Sequence, residues 1–109
     1  MSRRNKPVGI MVDELVVQPN AVGIFRAGSS HLTTDGDLEE LHAFAARIGL
    51  RRSWFQEHAT APHYDLIRSR RDRALALGAT FVPAREQARR RLARKLGVPR
   101  EGRRPWESI

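Results

Sequence analysis

Two histidines and three aspartates are the residues of this chain whose types and spacing could do chemistry. His31, Thr33 and Asp35 stand at i, i+2 and i+4, so in an extended segment all three point to one face. His63 and Asp65 repeat the i, i+2 spacing ahead of a helix-like stretch. Asp13 ends the apolar run Val8-Gly9-Ile10-Met11-Val12, and in open α/β sheets ligands sit outside the carboxyl ends of strands. Brought together, these imidazoles and carboxylates suit either of two jobs. They can hold a divalent metal (Zn, Mn or Mg) through N and O donors, with Asp13, His31 and His63 as ligands. They can also do acid–base work on a phosphate ester, with His31, His63, Asp35 and Asp65 as the catalytic set, because histidine titrates near neutral pH. Arg70 falls within an apolar helical stripe, where a guanidinium must snorkel out or meet an anion, and Arg71 stands beside it; the two are the candidate phosphate clamp.

Plainer roles compete with these. Asp35 and Asp65 both precede predicted helices, and an N-cap carboxylate contributes about 1 kcal/mol with no catalysis involved. Asp13 and Glu14 can form a solvated turn. His42 borders a helix's apolar stripe and reads as a packing residue, and His58 falls in a polar loop and reads as solvated. The Arg70 stem can simply cover apolar surface.

The elements that must position these residues follow from periodicity. Val8–Val12 reads as a buried strand, Val22–Arg26 as a second, and His31–Asp35 as a strand end. The first helix runs from about Asp37 to Ile48, capped by Thr34 or Asp35, with Leu38, Leu41, Phe44, Ala45 and Ile48 as its stripe and Gly49 as its stop. Residues 51–62 read as a loop. A second helix is predicted from Leu66 to Leu77 with Asp65 as cap, then a strand over Ala79–Val82, then a third helix from Ala84 to Leu96 behind Pro83. A strand, helix and further strand in that order imply at least one parallel pair. The expected fold is a small single α/β domain, with a short mixed sheet and about three helices over residues 1–97. A basic flexible tail over 98–109 follows, broken by Pro99, Gly102 and Pro105.

Composition narrows the function classes. The chain has 109 residues and no Cys, which excludes a disulfide scaffold, thiol catalysis and thiolate metal sites. No apolar run approaches the ~18 residues of a membrane span, and the N-terminus does not read as a signal peptide. The formal net charge is +8, and residues 85–109 carry nine bases against three acids. Arg89, Arg90, Arg91 and Arg94 on the third helix, with Trp106 beyond it, could contact phosphates and stack on a base. Nucleic acid or an acidic protein is therefore the expected class of partner. A solvated basic helix face explains the same residues.

Several of these segments together resemble a known family. The run His31-Leu32-Thr33-Thr34-Asp35, then Leu38 to Ala45, Arg47-Ile48-Gly49, Trp54, Pro62-His63-Tyr64-Asp65-Leu66, Ser69-Arg70-Arg71 and Leu77-Gly78-Ala79 resembles a family of phage and bacterial proteins, domain of unknown function DUF4031. Its members open with a strand ending in two acids, matched by Asp13 and Glu14; the second is usually Asp. An aromatic residue or Cys often precedes the first motif His, where this chain has Ser30. The resemblance covers about residues 10 to 90. It implies a cytoplasmic α/β module, in the host cytoplasm if phage-encoded, and implies no particular activity. The residues themselves point to a hydrolase-like or phosphate-ligand module with a His/Asp pocket, with a metal as a candidate cofactor. The reading from a different class is a non-enzymatic adaptor that docks through the basic third helix.

Overall fold

One wholly apolar segment, Ile10-Met11-Val12, lies at the centre of a short sheet and pairs on both sides with more polar segments. The computed structural model describes residues 9–97. Its strands are β1 (Ile10–Val12), β2 (Ser29–Thr34), β3 (Tyr64–Ile67) and β4 (Thr80–Phe81), and its helices are α1 (Leu38–Arg47), α2 (Arg68–Ala76) and α3 (Ala84–Lys95). The sheet order is β3-β2-β1-β4. β1 pairs antiparallel with β2 and parallel with β4, and β2 pairs antiparallel with β3. This is the small mixed-sheet α/β fold with three helices that the sequence leads one to expect.

The pleat sorts side chains onto two faces. Ile10, Val12, Leu32, Tyr64 and Leu66 point to one face and are buried with Leu41, Phe44, Ala45 and Ile48 of α1 and Ala74 of α2. Met11, His31, Thr33, Asp65 and Ile67 occupy the opposite face. α3 covers only part of that face. Its buried Gln87 accepts a hydrogen bond from the Thr33 hydroxyl at 2.7 Å and donates to the Val82 carbonyl at 2.8 Å. The strip carrying His31 and Asp65 stays open to solvent.

Local chemistry sets the ends of the helices. Asp37 caps α1 by accepting from the Glu39 N–H, with Glu39 and Glu40 in the first turn where the helix dipole favours negative charge. α1 ends at Gly49 with φ +90°, and the Leu50 N–H returns to the Ala45 carbonyl at 2.9 Å while the Gly49 N–H returns to Ala46 at 3.1 Å. That paired closure needs a left-handed residue at Gly49, which only glycine adopts without strain. Glu14, the second acid after β1, caps α3: its carboxylate accepts from the Ala84 N–H at 2.9 Å.

The structure corrects five expectations. Val22–Arg26 is not a strand; Gly23–Phe25 is an exposed 3-10 turn. No described segment pairs with it, so its apolar residues have no sheet to join. The α1 cap is Asp37 rather than Thr34 or Asp35, and Leu38 at its start is 41% exposed rather than part of the buried stripe. The predicted second helix from Leu66 to Leu77 is a strand followed by a helix, β3 then α2. Asp65 is therefore no helix cap. It lies mid-strand, paired with His31 across β2 and β3. The predicted tail, 98–109, with Trp106, lies outside the described residues.

Candidate metal centre

Register alone brings the central residues together. Antiparallel pairing places His31 directly opposite Asp65, and the β1–β2 ladder extended one step beyond Val12↔Leu32 places Asp13 beside His31 on the same face. His63 enters from the adjoining loop, which is tied to β3 by reciprocal Gln56–His63 backbone hydrogen bonds of 2.8 and 3.1 Å. The His31 and His63 rings meet edge to face with centroids 4.8 Å apart.

Each imidazole is oriented by its Nδ1. His31 Nδ1 lies 2.8 Å from Asp13 Oδ2, and His63 Nδ1 lies 2.8 Å from the Ala61 carbonyl. A carbonyl can only accept, so the neutral form of His63 carries its proton on Nδ1 and presents a lone pair at Nε2. The neutral form of His31 has the same tautomer, because the carboxylate accepts. Both Nε2 atoms approach one carboxylate oxygen: Asp65 Oδ1 is 3.4 Å from His63 Nε2 and 3.8 Å from His31 Nε2. One donor atom from each of His31, His63 and Asp65 lies within 4.8 Å of the others. Donors at about 2.0–2.2 Å from a tetrahedral zinc stand roughly 3.3–3.5 Å apart, so His63 Nε2 and Asp65 Oδ1 already have ligand spacing and the widest pair must draw together for all three to bind. The second Asp65 oxygen accepts from the Gln56 amide at 2.6 Å, and that contact fixes the carboxylate's orientation.

Asp13 plays a different part from the one its position in sequence suggested. It is buried, and its Oδ1 accepts from the Ser30 hydroxyl at 2.8 Å and the His31 N–H at 2.7 Å. Burial pushes its carboxyl up, but the hydrogen bonds from the His31 ring, the His31 N–H and Ser30 together outweigh this and hold it below the ordinary range. The hydrogen bond to Asp13 raises His31 above its ordinary value, opposed by partial burial and helped by the charges of Asp13 and Asp65. Asp13 thus stands behind His31 as the carboxylate of a carboxylate–histidine pair, in the position that fixes a metal-ligating ring and raises its basicity. Asp65 is the carboxylate that stands beside both Nε2 atoms.

The remaining sequence-predicted residues divide. Arg71 is close but occupied: its Nε donates to the Asp13 carbonyl at 2.9 Å and its guanidinium lies over the Phe81 ring at 5.6 Å. Arg70 turns away, toward Gly49 and a separate cleft. Asp35 is not brought to the pair. The β2 strand stops at Thr34, and Asp35 lies 3.6 Å from Arg90 of α3. Arg89 and Arg90 both engage Glu86, at 2.6 and 3.3 Å, so two of the four α3 arginines singled out from the sequence are already paired. Arg91 lines the cleft of about 220 Å³ that also contains Asp13, His31 and His63, and Arg94 lines its neighbour beside Asp35. His42 packs against Phe55 and sits 2.8 Å from the Tyr64 hydroxyl.

Three contributors were missed from sequence. Ser30 departs from the residue types usual before the first motif His, and Gln56 carries no motif signal. His58 also lines the cleft, with its ring 6.4 Å from that of His63; its spacing of five from His63 was the available clue.

The two-acid end of β1, the β2 histidine and the Pro62-His63-Tyr64-Asp65 segment are the parts of the chain that build this centre, and they fall within one family pattern. The model of the family described as Protein of unknown function (DUF4031) matches residues 10–95. The chain belongs to the DUF4031 family. The match takes in every residue of the centre and all of α3. No curated protein and no solved structure matches the chain. Among the described residues, no helix is long and apolar enough to cross a membrane.

Proposed function

We propose that this DUF4031 protein is a hydrolase-like module acting on a phosphate ester, with a divalent transition metal held by His31 Nε2, His63 Nε2 and Asp65 Oδ1. The observation that carries the reading is the convergence of the three donors with both imidazole Nδ1 atoms already committed to acceptors. Two nitrogens and one carboxylate oxygen with an open side form a donor set suited to borderline metals, and catalytic sites keep such an open position. A metal there supplies Lewis-acid polarisation of a phosphoryl oxygen and an acidified water.

The chain's own residues account for the rest. His31 is half-exposed, so the open side faces solvent and substrate. Arg91 at the rim offers a guanidinium to a non-bridging phosphate oxygen. His58 is the remaining imidazole of the cleft for moving a proton to a leaving group. Asp13 holds the His31 ring and its tautomer.

The direct test is hydrolysis of bis-nitrophenyl phosphate by protein loaded in turn with Zn, Mn, Co or Mg. Turnover is expected with at least one transition metal and is expected to vanish in His63→Ala and Asp65→Ala. Protein that binds metal yet hydrolyses neither this diester nor the corresponding monoester would refute the hydrolase reading and leave a metal-binding module.

A further inference from the structure

A second cleft opens on the far side of Asp65. It has a volume of about 480 Å³, and its walls are Ile24, Phe25, Leu50, Trp54 and Ile67. Its polar groups are Asp65, Gln56 and Arg70. Ligand sites typically enclose about 300–1,000 Å³, with apolar and aromatic walls and a few placed polar groups. Ile67 and Asp65 are two residues apart on β3 and share the open face of the sheet. The cleft therefore begins where the His31–His63–Asp65 group ends.

Three of its apolar walls are exposed to solvent, and Leu50 closes it from the core side. Trp54 is 50% exposed, Ile24 69% and Phe25 37%. Arg51 lies over the Trp54 ring with 5.8 Å to the centroid, which steadies the indole while leaving it at the cleft. Arg70 makes no ion pair among the described residues, and its guanidinium packs along Gly49, where an added Cβ would stand 3.3 Å from Nε. Aromatic walls, an unpaired guanidinium and a neighbouring donor triad flanked by Arg91 make a bipartite site. One half suits a planar uncharged ring, and the other suits an anionic ester.

We infer that this cleft is a base-recognition subsite, so that the substrate class of the proposed centre is a nucleotide unit whose base lies against Trp54 and Phe25 and whose phosphate reaches the His31–His63–Asp65 group. The inference rests on the proposed phosphate-ester chemistry for the position of the phosphate, and on the cleft alone for the base. Base–aromatic stacking tolerates any base, so the subsite selects nucleotides over other phosphate esters without selecting a sequence. Nucleotide units come either free or within a single strand, and both present the same base and phosphate.

The test uses Zn-loaded full-length protein with adenosine, adenosine monophosphate, ribose phosphate and a short single-stranded DNA, followed by calorimetry and by the Trp54 indole N–H resonance. Adenosine monophosphate is expected to bind roughly tenfold or more tightly than ribose phosphate. Trp54→Ala is expected to erase that difference, and Trp54→Phe to restore much of it. Adenosine alone is expected to shift the Trp54 resonance, with or without metal. A strand that outbinds the free nucleotide would identify the source as single-stranded nucleic acid; equal affinities would identify free nucleotide. If ribose phosphate and adenosine monophosphate bind equally, or no base-bearing ligand shifts the Trp54 resonance, the subsite is refuted while the metal centre stands. If metal and phosphate both fail to bind but adenosine still shifts Trp54, the proposed centre fails and the cleft survives as a base-binding site.

Discussion

Replacing Asp13 by Ala and by Asn separates its packing role from its role behind His31. Asp13→Ala strips the acceptors from the Ser30 hydroxyl, the His31 N–H and the His31 ring. Ser30 is 1% exposed, but its hydroxyl can turn fully to the Asp13 carbonyl, already 3.0 Å away, so that group is rescued. The His31 N–H is not. One orphaned, part-buried donor costs about 1–2 kcal/mol, and losing the charge-assisted ring contact adds about 1 more, for a total of roughly 2–3 kcal/mol. That is a large part of a small domain's typical stability of about 5–15 kcal/mol. Asp13→Asn keeps Oδ1 as an acceptor for Ser30 and the His31 N–H, so its cost should stay near 1 kcal/mol. It changes the chemistry at Oδ2, where an amide now donates to His31 Nδ1. The ring proton is thereby driven to Nε2, the atom needed as a metal donor. Metal affinity should fall about 10- to 100-fold, the usual effect of losing such a carboxylate partner. Denaturant midpoints and a Zn titration against a competing chelator measure the two effects separately. An Asn variant that binds Zn as tightly as the parent would refute the assigned role of Asp13.

The metal-free protein should be most stable where both members of the Asp13–His31 pair are charged. Asp13 is lowered from 3.8, so its contribution is full above that value and is lost as pH falls through its depressed pKa. His31 is raised from 6.5, so its contribution is full below that value and is lost as pH rises through its elevated pKa. Chelator-treated protein should therefore show a stability maximum between those values by urea midpoint, and His31→Gln should flatten its alkaline limb; an unchanged limb would contradict the pairing. Leu41→Ala should cost about 2–5 kcal/mol and Phe44→Ala about 3–5, since both are buried in the main cluster, whereas Leu38→Ala should stay within about 0.5. Gly49→Ala should cost about 1–2 kcal/mol from its positive φ, and should also displace Arg70, visible as a shift of its guanidinium resonances.

Where one periodicity held over a whole element, the sequence was easy to read. Leu41, Phe44, Ala45 and Ile48 define α1 because a helix repeats every 3.6 residues over ten positions, and Gly49-Leu50 closes it by a recognisable chemistry. β3 was obscured because its period changes in mid-segment: Tyr64 and Leu66 face the core two apart, and Ala74 then continues the apolar set at helical spacing. With Asp65 in a cap-like position, one longer helix fitted the same letters. The site residues His31, His63, Asp13 and Asp65 were recognisable as chemistry-bearing types, yet their roles depend on register. Sequence spacing put Asp35 on the His31 face, but the strand ends before it and Arg90 draws it toward α3. Asp65 reaches His31 only through the β2–β3 ladder, a pairing between residues 34 positions apart that no local pattern encodes. Gln56 acts through a short bridge to His63 and a hydrogen bond to Asp65, and its residue type carried no signal.

The central claim is that His31, His63 and Asp65 hold one divalent metal. Titrating Co(II) into the chelator-treated full-length protein at neutral pH, followed by visible absorption and native mass spectrometry, tests it most directly. The account predicts one cobalt per chain, with the intense visible bands of a low-coordinate nitrogen- and oxygen-bound ion, and loss of those bands in His63→Ala and in Asp65→Ala while both variants stay folded. No bound cobalt at stoichiometric concentrations, or equal binding by the folded variants, would contradict it.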